Sequence, residues 1–342
     1  MEAVKKNRYD ERYDIRFARY DEIEEIMQFL DTYWKKGHIL ATNRAFFEYE
    51  MVVDGKVNFI IAKDRVTGKI HGLDGFLCAS KDADKLDIWG SMWKVIPEAM
   101  GMLGMEIDRR LKEYTKCRNC MVIGGNPKTT IPLIENILKY RNTGRMQHFY
   151  CLSKREEYHI ARVDHFEEFV ENKEFQAEYI QINSGKELES LYDFSNAEEM
   201  VPYKDSWYVE HRYIEHPVYR YQVYGLMDNK RVGALLICRA QEYDGCKALR
   251  IMDYIGNPKL FAGISGFLKA KLEEYEYVDM YCYGFDNTYI EQAGMIELAK
   301  DDTNIIPNYF APYVAENIDI WVGAKSGNAL FFKADGDQDR PN

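Results

Sequence analysis

Short runs rich in β-branched and aromatic residues, over positions 13–18, 57–63, 69–78 and 86–96, predict β-strands. Between the first two the period changes. Ile23, Ile26, Met27, Leu30 and Trp34 recur at helical spacing, which predicts an amphipathic helix over 21–34, and 46–50 reads as a further short helix. The polar stretch from Asp64 to Lys69 contains Gly68 and joins two of the strands as a hairpin. Pro97 ends the 86–96 strand. A loop with two glycines, Gly101 and Gly104, leads into a helix over 105–114, a strand over 121–125, a helix over 130–138 and a strand over 146–152.

The same order then recurs. A strand over 177–182 and a helix over 185–195 precede strands at 222–228, 231–243 and 248–255. Asp228-Asn229-Lys230 and Asp244-Gly245 supply the turns. A helix over 259–275, a strand over 278–283 and a short helix over 289–293 follow. The repetition predicts an α/β (α+β) fold of two tandem domains, each a mixed central sheet flanked by helices. At roughly 100–200 residues per domain, 342 residues suit two. The expected units are 1–155 and 156–325, with 326–342 a polar C-terminal tail whose end, 335–342, is expected to be mobile.

Composition narrows the partners. The net charge of −11 argues against a nucleic-acid partner, because backbone affinity comes from Lys and Arg neutralising phosphates. No apolar run is long enough to span a membrane. The first eight residues lack the apolar stretch of a signal peptide. With seven cysteines, an odd number, this points to reduced thiols and a cytoplasmic location. Cys117 and Cys120 form a CxxC with no second pair, read as structural thiols rather than a metal site; no metal is expected. Aromatic residues, 26 of them tyrosines, are read mainly as strand positions.

The order strand, Gly loop, helix, strand resembles the GCN5-related N-acetyltransferase (GNAT) superfamily. The resemblance rests on Trp93-Lys94-Val95-Ile96-Pro97 and the loop that follows it. It implies that loop amides hold the pyrophosphate of an acyl-coenzyme A, acetyl-CoA or another, as co-substrate. Helix N-termini carry unpaired N–H groups and partial positive charge, and glycines allow close approach. The implied cofactor residues are Val95, Ile96, Gly101, Met102, Leu103, Gly104, Met105 and Asn126. The family pattern has Arg or Gln three before the first glycine and Gly or Ala two after it; here Glu98 and Leu103 stand there. The family's thiolate-protonating tyrosine has no counterpart in the 131–138 helix, where Tyr140 is the first tyrosine reached.

The whole chain is also similar to tandem-GNAT proteins associated with bacterial surface-polysaccharide biosynthesis. The matching segments are 38–44, 87–95, 216–221 and 336–342. This likeness implies an N-acyltransferase acting on a small-molecule amine, an amino sugar on a nucleotide or lipid carrier. The second half lacks the glycine loop, since 255–263 is longer and contains Pro258, and reads as a degenerate copy that helps bind the acceptor. Two other readings stay open: a Fem-type aminoacyltransferase using aminoacyl-tRNA, which the acidic charge disfavours, and a non-catalytic binding scaffold.

Acyl transfer needs a neutral amine, a donor for the carbonyl oxygen and a proton acceptor. His38 and Asp253 are the candidate bases. His38 also fits a surface position, and Asp253 an exposed strand edge. Trp89 and Trp93, in phase on one strand, line either a substrate cleft or a core. Arg44 either holds an acceptor anion or forms an exposed ion pair.

Overall fold

The computed structural model describes residues 7–341. Residues 1–6, most of the first eight read above for a signal peptide, and Asn342, the last residue of the 336–342 segment, lie outside the described residues. Seven strands form the first sheet. Their order is Tyr13–Phe17, Phe59–Asp64, Ile70–Cys78, Asp87–Val95, Asn119–Ile123, Trp321–Ala324 and Asn142–Arg145. Local chemistry sets its first hairpin. Asp64 Oδ1 accepts from the Val66 and Thr67 amides, and Gly68 takes φ +69°. The predicted apolar stripe builds the helix Ile23–Tyr33, whose Ile23, Ile26, Met27 and Leu30 pack on Phe59, Ile61 and Leu73. Leu103, Ile107 and Leu111 of the helix Leu103–Thr115 cover the opposite face, against Ile60, Ala62 and Ile88.

The second sheet runs Tyr179–Ile182, Tyr221–Asp228, Arg231–Tyr243, Cys246–Gly256, Tyr277–Tyr283, Gln147–Leu152 and Ile296–Glu297. Phe331–Phe332 also pairs with Tyr277–Tyr283. The helix expected over 259–275 is split into a tighter turn of helix, Pro258–Ile264, and an α-helix, Ser265–Leu272. The Gly263 carbonyl accepts instead from Ala177 N–H, and Ser265 Oγ accepts from Asn172 N–H, so a crossing segment interrupts the helix.

The two sheets exchange strands. Gln147–Leu152, expected to close the first half, lies antiparallel to Tyr277–Tyr283 in the second sheet. Trp321–Ala324 returns to the first sheet, between Asn119–Ile123 and Asn142–Arg145. One apolar core joins both sheets: Trp89 and Met121 from the first, Leu235, Ile237, Met252 and Tyr281 from the second. The C-terminal segment lies within it through Ala329, Phe331 and Ala334.

The expectation of a mobile end over 335–342 is corrected for its described residues, 335–341, which continue a buried segment. Phe331, Ala334 and Asp335 are fully buried, and Asp339 is nearly so. Its charges are neutralised rather than solvated. Arg239 pairs with Asp339, and Arg340 Nε pairs with Glu50 at 2.6 Å.

Candidate functional site

Each sheet contains one forked pair of parallel strands. In the first, Asp87–Trp89 pair with Asn119–Met121, and the ladder then stops while Asp87–Val95 continues. Ile96 N–H is spent on His71 O at 2.9 Å, away from the fork. By the alternation of an antiparallel ladder, Val95 N–H turns the other way, into the fork. Gly336 sits at the inner end: a Cβ there would lie 2.7 Å from Ile123 Cγ2 and 3.3 Å from Trp89 Cβ.

The second fork opens after Ile251 and Met280. It is filled by the protein's own chain. Phe331 and Phe332 pair with Tyr283 and Cys282, and Ala334 N–H donates to Met252 O at 2.9 Å. A wide groove of about 1510 Å³ borders its outer end at Gly256, Asn257 and Gly284. Glu189, Asp193, Glu199 and Asp228 outnumber Lys230 and Arg231 on its rim, a poor field for a polyphosphate.

The loop 96–102 is held from behind. Met100 N–H donates to Tyr13 Oη at 2.9 Å, and Tyr9 Oη donates to Gly101 O at 3.0 Å. Met102 takes φ +66° just before the helix. Leu103 N–H bonds Met100 O, and Leu103 itself is buried. Gly104 is closely packed, because a Cβ would meet Trp93 Nε1 and Val95 Cγ2 at 3.3 Å. At Gly101 a Cβ would meet nothing within 4 Å, so open space lies in front of the loop. Met105 is half-buried in the first turn. Asn126, after the neighbouring strand, spends its Oδ1 on Lys128 N–H at 2.8 Å.

Between the sheets lies a cavity of about 280 Å³. Trp34, His38 and Met92 line it from one side, and Arg239, Gln241 and Asn308 from the other. The C-terminal segment supplies Lys333, Asp337, Gln338, Asp339 and Arg340. Asp337 Oδ2 accepts from Ser91 Oγ at 3.0 Å and from Arg340 Nη1 at 3.1 Å, which ties the cavity to the first fork.

Of the candidate catalytic, cofactor and substrate residues named from the sequence, His38 alone lines this cavity. It caps the helix Ile39–Thr42, its Nδ1 accepting from Leu40 N–H at 3.2 Å. Burial, with Arg340 and Lys35 nearby, pushes its imidazole down to about 4. The neutral ring therefore carries its proton on Nε2. Asp253 is fully buried elsewhere. Both its oxygens lie 2.7 Å from Lys204 Nζ, and Tyr213 Oη donates to Oδ2 at 2.5 Å. Lys204 also meets Asp335 at 2.6 Å, and burial raises that carboxyl to about 6. Trp89 belongs to the shared core, fully buried against Tyr208. Trp93 Nε1 donates to Gly104 O at 3.0 Å, fastening strand to helix. Arg44 pairs with Glu24 and Glu48 on the exposed surface.

Sequence reasoning missed Lys333, Asp337, Arg239 and Asn308. Of these only Asp337 carried a sequence signal, in the segment 336–342, noted for its likeness and then read as a tail. Among the described residues no cluster of His, Cys, Asp or Glu is arranged to hold a metal ion, and no helix is long and apolar enough to cross a membrane.

No protein-family model matches the sequence, and no curated protein matches it. Solved structures do resemble it in fold. A GCN5-related N-acetyltransferase from Anabaena variabilis aligns over 91% of this chain and 72% of its own, with TM-score 0.57 and 9% identity. A conserved protein of unknown function from Enterococcus faecalis, described as a probable N-acyltransferase, aligns over 91% and 71%, with TM-score 0.55 and 9% identity. With its forked mixed sheets and flanking helices, this chain has the fold of the GCN5-related N-acetyltransferases.

Proposed function

We propose that this protein transfers an acyl group from acyl-coenzyme A to a small-molecule amine. The first fork is the observation that carries this reading. The C-terminal segment reaches its inner end through Gly336 and Gln338, but its outer end keeps open space before a glycine loop and helix N-terminus, whereas the second fork is filled by paired chain. In this reading Gly101–Met105 receive the pyrophosphate, Val95 N–H faces the donor's arm, and Asn126 borders it. The acceptor occupies the cavity beside the fork. Its polar lining suits an amino sugar, carried on a nucleotide or lipid, as the acceptor class.

Attack by the neutral amine forms the C–N bond and breaks the C–S bond. Asp337, held at the fork by Ser91 and Arg340, is the carboxylate placed to take the amine proton. His38 presents Nε2–H as a donor that orients the acceptor, the role its capping bond leaves it. Asp253 acts through the Lys204 cluster, as a structural charge.

Isothermal titration with coenzyme A tests the donor site. Gly101→Glu sets its Cβ in open space and places a carboxylate before the loop. Binding by the native chain, lost in Gly101→Glu with an unchanged melting midpoint, is the expected result. Equal affinity in the two proteins rejects the assignment. Thiol release from acetyl-CoA with a panel of amino sugars tests the reaction, and no release with any of them rejects it.

A further inference from the structure

Lys333 is the feature of the cavity that the proposed reaction leaves unused. Its side chain is 2% exposed. Nζ donates to the Gln338 backbone carbonyl at 2.9 Å. Arg239 and Arg340, on the same cavity, each have a carboxylate partner; among the described residues no carboxylate lies within ion-pair distance of Lys333. A second group beside it is also unsatisfied. Asn308 is 3% exposed, and its Oδ1 accepts from Arg250 Nη1 at 3.0 Å, leaving Nδ2 with no partner. The Gln241 side chain, 6% exposed, lines the same space. Buried donors are costly to leave unpaired, and a buried cation more so.

We infer that the cavity between the sheets binds an oxyanion on the acceptor, a carboxylate or a phosphate, through Lys333 with Asn308 and Gln241 beside it. This rests on the reading of the cavity as the acceptor site and names the class of acceptor it takes. With Lys333 charged, the cations Lys333, Arg239, Arg250 and Arg340 are matched by the carboxylates Asp279, Asp339, Glu50 and Asp337. Buried Arg212, which among the described residues donates only to the Ala334 and Asp339 carbonyls, is a further cation, so the cluster leaves room for one negative charge. Arg250 is neutralised by Asp279, and Arg239 by Asp339. Arg340 is shared between Glu50 and Asp337, and His38 is neutral. The Tyr309 ring lies 5.4 Å from Nζ and adds a weak attraction only. Burial, with Arg250 and Arg239 nearby, pushes the free lysine down to about 7. An entering oxyanion restores its charge, so binding above neutral pH takes up a proton.

The test is calorimetric titration of the full chain at pH 8, in two buffers of different ionisation enthalpy. The probes are glucosamine, glucosamine 6-phosphate and 2-amino-2-deoxyglucuronic acid. At least one oxyanion-bearing probe should bind about 10- to 100-fold more tightly than glucosamine, the range for a hydrogen bond to a charged group. Which of the two does so identifies phosphate or carboxylate as the source. That binding should take up a fraction of a proton. Lys333→Met should bring its affinity down to that of glucosamine, and Lys333→Arg should keep the preference for the oxyanion. Equal affinity for all three probes, or undiminished oxyanion preference in a folded Lys333→Met protein, overturns the inference. If Lys333→Met does not fold, the native chain's preference and proton uptake decide. These titrations need no acyl donor. Oxyanion preference without thiol release therefore rejects the transferase reading and leaves this site standing.

Discussion

Asp253→Asn separates a structural charge from a catalytic one. Asp253 is fully buried, with both oxygens on Lys204 and a third bond from Tyr213. Asparagine keeps the size and removes the charge. Lys204 then retains only Asp335, at 2.6 Å. Breaking one arm of a buried ion pair costs about 3–5 kcal/mol. Relief of the repulsion between Asp253 and Asp335 returns part of this, because that repulsion helps hold the Asp335 carboxyl up. The lower end, about 3 kcal/mol, is therefore expected. For a chain of this size it corresponds to a fall of roughly 4 °C in melting midpoint. Thermal unfolding followed by circular dichroism measures the midpoint, and thiol release at 15 °C, well below the melt, measures turnover. Turnover per folded molecule should stay within about threefold of native, whereas loss of a general base costs about 10²–10⁴-fold. An unchanged midpoint with a 100-fold loss of turnover would refute the structural role and restore Asp253 as the base.

Two further outcomes follow from burial. Gly336 takes φ +56° and would set a Cβ 2.7 Å from Ile123, so Gly336→Val should destabilise by about 2–4 kcal/mol; an unchanged urea midpoint shows that the segment does not occupy the fork. His216 and His211 are held neutral, pushed by burial down to about 3 and about 4, and His38 behaves likewise. His216 Nδ1 already accepts from the Val218 and Tyr219 amides. Groups whose folded pKa is depressed bind protons preferentially in the unfolded chain, so their stability is present above about 6.5 and is lost as pH falls towards 4. The melting midpoint should drop steeply between pH 6.5 and 4.5, with a shallower drop in His216→Asn, and a flat profile contradicts this.

The parts of the fold legible in the sequence are those set by neighbours along the chain. The stripe Ile23, Ile26, Met27, Leu30 and the Asp64–Gly68 turn specify their elements locally, and the strand, loop and helix around Gly101–Gly104 came from the same kind of signal. Exchange of Gln147–Leu152 and Trp321–Ala324 was not legible, because the ladder partner of a short strand is chosen by long-range packing. The site failed for a related reason. Asp335, Asp339 and Arg340 look like solvated residues until Lys204, Arg239 and Glu50, distant in sequence, are brought to them. Arg250, three residues before Asp253 on the same strand, is not its partner but pairs with Asp279. The partner Lys204 came from a loop that strand periodicity does not describe.

The exchanged strand Trp321–Ala324 also constrains how the chain is made. On a ribosome, segments emerge in order, and long-range pairings wait for their partner. The edge of Asn119–Ile123 that Val322 and Gly323 cover stays open until residue 324 has left the exit tunnel, long after the edge strand itself has emerged. Until then it is an unpaired strand edge, the kind of surface that recruits other chains. The late-arriving strand and the fork-filling segment that follows it act as a final clasp. A break in translation before residue 321 therefore releases a chain with its first sheet open, whereas a nick in an exposed hairpin such as Asp244-Gly245 leaves every strand its partner.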